Sequence, residues 1–445
     1  MQAGKQRARS HEKDAVSHLF DAIGNSNAMQ GLQLENAENQ KIEGAGQEIG
    51  RLWHCVHNIG CRYRVSSLAA NAYSYMLSAE MKKTLRIAVI PGDGVGKEVV
   101  PLTIGVLEGL ARRFEISFDF VCYNWGADYY FANGRMMPVD GIELLRNSDA
   151  ILLGAVGHRE VPDHVTLNGL LLPIRRAFDQ FANVRPTILY PGVTSPLVGY
   201  RGGDIDMVIV RENTEGEYSQ VGGFVHEGHD SEVAVQTSIF TKHGIARIVR
   251  FAFELARERN GKKKVCSITK SNAQGFSMVL WDRIFESVSE EYPDVETESL
   301  LVDAAAMNFV RRPSSFDVVV ASNLFGDILS DLSAIITGGI GLAASANLDP
   351  LRRFPSMFEP VHGSAPDIAG KGLVNPLATI LTSAMMLDHL GFADAATVVG
   401  GAVRQVLADG QKLTPDLGGT SNTEEVCQEV IGKIERTTYE AASRS

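Results

Sequence analysis

Asp327 and Asp331 stand four residues apart, just after Gly326, in the run Asn323-Leu-Phe-Gly-Asp-Ile-Leu-Ser-Asp331. The apolar, β-branched run at 316–321 reads as a buried strand, and Gly326 reads as a turn from which a helix departs. On a helix the two carboxylates share one face, one turn apart. Neighbouring carboxylates repel unless a positive group meets them, and a hard divalent cation such as Mg2+ or Mn2+ does so through oxygen ligands. The same residues also suit a plain helix start, where the dipole favours acidic side chains. A third aspartate, Asp303, ends the run 298–303, which reads as another strand ahead of a helix. Ligand sites in α/β sheets gather at the carboxyl ends of strands, so three aspartates at such transitions favour the metal reading.

Other residues suit anionic substrates and proton transfer. Arg175, Arg185 and Arg211 fall at the ends of predicted elements. Guanidinium groups pair bidentately with carboxylates, although each arginine alone also fits a solvated surface. Lys270 follows the strand-like run 265–269 and serves either as a base of lowered pKa or as an ordinary surface lysine. Residues 358–370 form a long loop rich in Gly and Pro, and loops of that length in a compact domain are usually functional. The glycines after the strand at 85–90 are spaced G-x-G-x-G, which reads as a tight turn and not as a dinucleotide-binding G-x-G-x-x-G fingerprint.

The elements that must carry these residues alternate as in an α/β protein. Strands are predicted at 85–90, 149–157, 205–212, 265–269 and 298–303, with amphipathic helices at 97–110 and 243–257. An antiparallel hairpin insert is expected near 231–240, and a mostly apolar helix follows Asn375-Pro376. The net charge of -11 disfavours nucleic acid and anionic membrane surfaces. No apolar run is long enough to span a membrane. Five scattered cysteines imply no disulfide framework and fit a reducing, cytoplasmic setting. Cys55, Cys61, His54 and His57 lack a standard zinc spacing. Residues 1–80, rich in Gln, Asn, Ser and Gly, are expected to be an N-terminal extension, disordered or artefactual, with Met81 as the true start.

Taken together, Ile90-Pro-Gly-Asp-Gly-Val-Gly96, Arg175 with Arg185-Pro186, the run 323–331, and Glu359-Pro-Val-His-Gly-Ser-Ala-Pro-Asp367 resemble the isocitrate/3-isopropylmalate dehydrogenase family of metal-dependent β-decarboxylating dehydrogenases. The resemblance covers about 86–433. Arg211-Glu-Asn-Thr-Glu-Gly-Glu-Tyr-Ser219, Thr269-Lys-Ser-Asn272 and Ser345-Ala-Asn347 look most like its tartrate/D-malate branch. The resemblance implies an α/β fold of two domains sharing a large mixed β-sheet, distinct from the Rossmann fold. The first, cofactor-binding domain would comprise 81–180 and 337–445. The second, a dimerisation and substrate domain with a swapped β arm, would comprise 181–336. A homodimer with shared active sites is implied.

Roles carry over position by position. By resemblance Asp327 and Asp331 bind the metal from one subunit, and Asp303, which also meets substrate, from the other. Arg175, Arg185 and Arg211 hold substrate carboxylates. Lys270 of the neighbouring subunit takes the hydroxyl proton, Tyr218 returns a proton after decarboxylation, and Asn272 sits near substrate and nicotinamide. His362, Gly363, Ser364, Ala365, Asp367, Ile368 and Asn375 hold the cofactor. Asp367 would face the adenosine ribose and reject a 2′-phosphate. Members that use NADP tend to carry Lys-Tyr at 367–368, so NAD is expected, with Mn2+ or Mg2+ and with K+ as a further candidate. Isocitrate enzymes place Ser and Asn at the positions of Gly169 and Leu171. A small 2-hydroxy dicarboxylate is therefore expected, oxidised and decarboxylated as D-malate to pyruvate and CO2, or tartrate as a related substrate. The apolar Leu171 and Leu172 keep 3-isopropylmalate as the alternative, and a non-catalytic regulatory subunit is the remote one.

Overall fold

The computed structural model describes residues 84–436. The extension 1–80, the start at Met81 and the Cys/His group at 54–61 lie outside the described residues. In chain order the elements open with β1 (Thr84–Gly92), α1 (Gly96–Phe114), β2 (Ser117–Cys122), α2 (Ala127–Asn133), α3 (Gly141–Arg146) and β3 (Ala150–Ala155). There follow α4 (Asp163–Thr166), a π-helical turn (Leu167–Leu171), α5 (Leu172–Ala177), β4 (Ala182–Ile188), β5 (Asp206–Glu212), β6 (Gly216–Val225), β7 (Val233–Ile239) and α6 (Lys242–Arg259). Next come β8 (Lys264–Thr269), α7 (Ser277–Ser289), β9 (Glu296–Leu301), α8 (Val302–Arg311), β10 (Val318–Ala321) and α9 (Asn323–Ile336). The chain closes with β11 (Ala346–Leu348), β12 (Ser356–Phe358), α10 (Leu377–His389), α11 (Ala393–Asp409) and α12 (Thr423–Arg436).

Ten strands form one mixed sheet in the order β2-β1-β3-β12-β11-β4-β5-β10-β8-β9. Each flank is parallel, and antiparallel pairings of β11 with β12, β4 with β11 and β5 with β4 join them. As a result the parallel strands of the two flanks run in opposite directions. The inner strands of the flanks, such as β3, β8 and β10, are buried on both faces, as parallel strands between helices must be, whereas the edge strands β2 and β9 are partly exposed. On β1, Leu85, Ile87 and Val89 pack against α1, α10, α11 and α12, whereas Ala88 and Ile90 face a separate cluster with Trp125, Leu170 and Phe178. A further core gathers β5, β8 and β10 with α6 and α7 around Phe253, Trp281 and Phe316. Strands β11 and β12 have three residues each, too few for a readable two-residue period, which is why the sequence did not predict them.

Two expectations change. Gly326 is not a turn: α9 already begins at Asn323, and the Gly326 N–H bonds Ser322 O at 2.8 Å. A Cβ there would lie 2.7 Å from Arg211 Cβ, so the glycine exists to let α9 press against β5. Asp303 does not end a strand: β9 stops at Leu301 and Asp303 sits in the first turn of α8. The glycine-rich turn after β1 is a tight turn, as predicted. Gly92 and Gly94 both hold positive φ, and a Cβ on them would come within 2.0 Å of Ala155 O and Ser364 O respectively. Val95 N–H donates to Ser364 O at 2.9 Å, so this turn supports the loop that starts at Glu359.

The β6–β7 hairpin leaves the main sheet as a separate two-stranded ribbon. Phe224 is 64% exposed, and Val225, Val233 and Val235 are exposed as well. A lone two-stranded ribbon is marginal in water, and its apolar side chains have no cover from the described residues. Among the described residues no helix is long and apolar enough to cross a membrane.

Candidate active site

The central strands set the site through their register. Asn347 on β11 lies opposite Asn183 on β4, which lies opposite Arg211 on β5. Directly paired residues share a face of the sheet, and Arg185, two residues from Asn183, shares it too. A slip of one residue would turn the whole row to the other face. The row is fully buried and bonded. Arg185 Nε donates to Asn183 Oδ1 at 2.7 Å, Asn183 Nδ2 donates to Asn347 Oδ1 at 3.0 Å, and Asn347 Nδ2 donates to Glu359 Oε1 at 2.8 Å. Arg175 from α5 donates to the same Glu359 oxygen. Two of the three arginines are thus joined by Glu359, Asn347 and Asn183. Leaving one such buried group unpaired costs about 1–3 kcal/mol, so the network fixes the spacing between the guanidiniums.

Arg211 is held differently. Its Nε and Nη2 both donate to Asn323 Oδ1, its Nη1 pairs with Asp327, and its guanidinium lies 5.2 Å from the centre of the Tyr218 ring. Tyr218 Oη donates to Asp327 Oδ2 at 2.8 Å. Arg185 Nη1 reaches Asp327 at 3.2 Å and Asp331 at 3.9 Å. Burial pushes Asp327 up, but Arg211 and Arg185 outweigh it and hold the carboxyl down at about 2. Burial raises Asp331, and Arg185 only partly offsets this. Burial, with Asp327 beside it, raises the Tyr218 phenol and keeps it protonated. The two aspartates are therefore adjacent but unequal. Asp327 is a fixed anion, and Asp331 is half-exposed and open to a further partner.

One cavity gathers Arg175, Arg185, Arg211, Tyr218, Asp327 and His362, with Gly363 at its edge. Within it the buried Arg175 Nε and His362 Nε2 lack a hydrogen-bond partner. Burial lowers the His362 pKa, so its imidazole is neutral. Buried orphan donors and acceptors of this kind suit a polar ligand. Leu167, Leu171 and Leu172 form an apolar wall of the same cavity. Gly169 is no part of that wall: a Cβ there would run into Met136 Cγ at 2.6 Å, so it is a packing glycine.

Lys270, Asn272 and Asp303 are absent from this cavity. Lys270 Nζ pairs with Asp303 Oδ1 at 2.7 Å, and that contact lowers the Asp303 pKa; Asn272 is exposed. Among the described residues no three His, Cys, Asp or Glu side chains converge as metal ligands. Asp327 and Asp331 supply hard oxygen donors that fit a divalent cation, but only two of them. Of the predicted cofactor residues, Ser364 packs on the turn after β1 and Ala365 takes a positive φ of 38°. Asp367 pairs with Arg159, Ile368 packs on the first core, and Asn375 Nδ2 donates to Asp416 Oδ2 at 3.0 Å.

The acidic run 212–217 has a structural task at each member. Glu212 accepts from Thr214 N, Thr214 Oγ1 and Glu215 N, closing the turn between β5 and β6. Glu215 accepts from Thr241 N and Oγ1 and so steadies the N-cap of α6. Glu217 accepts from Ser322 Oγ and Leu324 N, capping α9, the helix that carries both aspartates. Sequence reading used this run only as a branch marker. It missed Glu359, Asn183 and Asn347 as partners, although the two-residue spacing of Asn183 and Arg185 on a strand was a usable signal.

A match to the family model for isocitrate/isopropylmalate dehydrogenase spans residues 86–434. The chain belongs to the isocitrate/isopropylmalate dehydrogenase family. It is therefore an oxidoreductase with the expected α/β fold. A probable tartrate dehydrogenase/decarboxylase of Agrobacterium vitis is 53% identical over 350 residues, 78% of this chain and 97% of that protein. The D-malate dehydrogenase [decarboxylating] of Escherichia coli (strain K12) is 52% identical over 363 residues, 80% of this chain and 100% of that protein. Among solved structures, isocitrate dehydrogenase from Methylococcus capsulatus superposes with a TM-score of 0.72 at 35% identity, covering 79% of this chain and 100% of that one.

Proposed function

We propose that the protein oxidises and decarboxylates a small 2-hydroxy dicarboxylate, D-malate to pyruvate and CO2, with tartrate as a related substrate. NAD would be the acceptor, with Mn2+ or Mg2+ at the site. The observation that carries the substrate class is charge balance. Arg175, Arg185 and Arg211 face Glu359, Asp327 and Asp331 across one site. When all are ionised their charges cancel. A dianion entering with a divalent cation preserves that balance, whereas a trianion adds an uncompensated charge in a low-dielectric cavity. The E. coli and A. vitis relatives carry names that agree with this reading.

The three arginines would grip the two carboxylates, and the Glu359–Asn347–Asn183 network would hold them at fixed spacing. Asp327 and Asp331 would hold the divalent ion. When bound, the ion supplies Lewis acidity to the substrate hydroxyl and carbonyl oxygens, and the nicotinamide accepts the hydride. Lys270 Nζ would take the hydroxyl proton. Tyr218 Oη, kept protonated by burial, would give a proton to the carbon that loses CO2. The pairing of Lys270 with Asp303, away from Asp327, supports a homodimer in which each protomer lends these two residues to its partner. The exposed ribbon, and Ile328 on α9 at 57% exposure, offer apolar surface for that contact.

Assays of D-malate, tartrate, 3-isopropylmalate and isocitrate side by side, with NAD and Mn2+, test the proposal. D-malate or tartrate should give the highest kcat/KM. The wall of Leu167, Leu171 and Leu172 favours 3-isopropylmalate as the second reading. A preference for it of about a hundredfold, the discrimination an apolar pocket supplies, would overturn the first.

A further inference from the structure

Arg159 belongs to the tight turn after β3, closed by the Val161 N–H to His158 O bond at 3.0 Å. The turn is well anchored. Gly157 N–H donates to the buried Asp93 Oδ2 at 2.9 Å, and the His158 ring meets the edge of Phe131 at 5.2 Å. It also abuts the 359–376 loop, since a Cβ on Gly157 would stand 3.2 Å from Ser364 Oγ. Across that seam the Arg159 guanidinium pairs with the Asp367 carboxylate. Both side chains are exposed, at 66% and 81%. Exposed ion pairs add little stability, so this one exchanges partners at small cost.

We propose that Arg159 is a second determinant of cofactor choice, working against Asp367. The inference rests on the reading that Asp367 faces the adenosine ribose. A bare carboxylate there accepts the ribose hydroxyls and repels a 2′-phosphate. With Arg159 in contact the local charge is close to zero, which blunts the repulsion. The guanidinium also presents several donors in a plane that matches phosphate oxygens. Asp367 then selects NAD, while Arg159 sets how strongly NADP is refused. Removing Asp367 frees Arg159 for a 2′-phosphate, and removing Arg159 sharpens the preference for NAD.

The test measures Kd for NAD and NADP by calorimetry in the full-length protein and in Arg159→Ala, Asp367→Ala and the double variant, with kcat/KM for both cofactors alongside. Arg159→Ala should weaken NADP by about tenfold, the equivalent of one hydrogen bond to a charged group, and leave NAD within about twofold. Asp367→Ala should weaken NAD and tighten NADP, and the double variant should lose the NADP gain. Unchanged NADP affinity in Arg159→Ala, or an NADP gain that survives in the double variant, overturns the proposal. If Asp367→Ala leaves both cofactors unaffected, the placement of Asp367 at the ribose is what fails.

Discussion

Glu212 is a carboxylate whose charge the fold tolerates poorly. It is fully buried, and burial pushes its carboxyl from 4.5 up to about 7 against three hydrogen bonds that pull it down. A folded-state pKa above the unfolded one means that the folded chain binds the extra proton. Stability from this group is present below about 4.5 and declines as pH rises through about 7. Thermal unfolding should therefore give a Tm several degrees lower, about 5 °C, at high pH than at low pH across that window. Glu212→Gln should flatten the difference; an unchanged slope in that variant would place its source elsewhere. At this scale the sequence disclosed which residues carry charge and hid which ones neutralise them. Asp327 with Asp331 and the three arginines were legible from type and spacing. Glu359 and Asn347 were not, because Glu359 meets Arg175 from 184 positions away and Asn347 meets Asn183 from 164, and only the fold reveals such pairings.

Helix α9 and strand β5 show what close approach between elements does for the site. Gly326 lets the helix bring Asp327 to Arg211, and its Cβ position is already occupied by the arginine side chain. Gly326→Ala should improve the intrinsic propensity of the helix, yet push Arg211 aside. A loss in kcat/KM for the hydroxy acid of about a hundredfold is expected from a shift near 1 Å, with NAD affinity retained. Loss of both together would instead point to general unfolding. The helix itself was readable from its four-residue acidic spacing, but its start was misplaced by three residues, because a glycine that permits contact looks in sequence like a glycine that permits a turn. Long periodic elements such as α1 and α6 were legible within a few residues, whereas the three-residue β11 and β12 were not. Those two short strands nonetheless carry Asn347 and lead into Glu359.

At the scale of the whole molecule, one chain holds the proposed catalytic groups in two separate places. Asp327, Tyr218 and the three arginines line one cavity, Asp331 follows Asp327 one turn along α9, and Lys270 and Asp303 form a pair outside the cavity. Under the proposed sharing, dilution below the dimer dissociation constant should abolish turnover without loss of helical circular dichroism, and reconcentration should restore it. Activity proportional to protein at every concentration, with monomers shown by sedimentation, would refute the sharing. The sequence offered the groups and, through family resemblance, the expectation that two subunits share them; no periodicity or spacing could have shown which of them share a cavity. The π-helical turn at Leu167–Leu171 has a consequence of another kind. It carries Leu167 and Leu171 of the apolar wall, while Arg185 and Arg211 are rooted in the sheet and only Arg175, on α5 just after the turn, shares its segment. The wall and the sheet-borne part of the grip are thus separately heritable. Changes in that turn can be sampled generation after generation without rebuilding those two arginines, so a lineage can acquire new substrates while its chemistry is conserved.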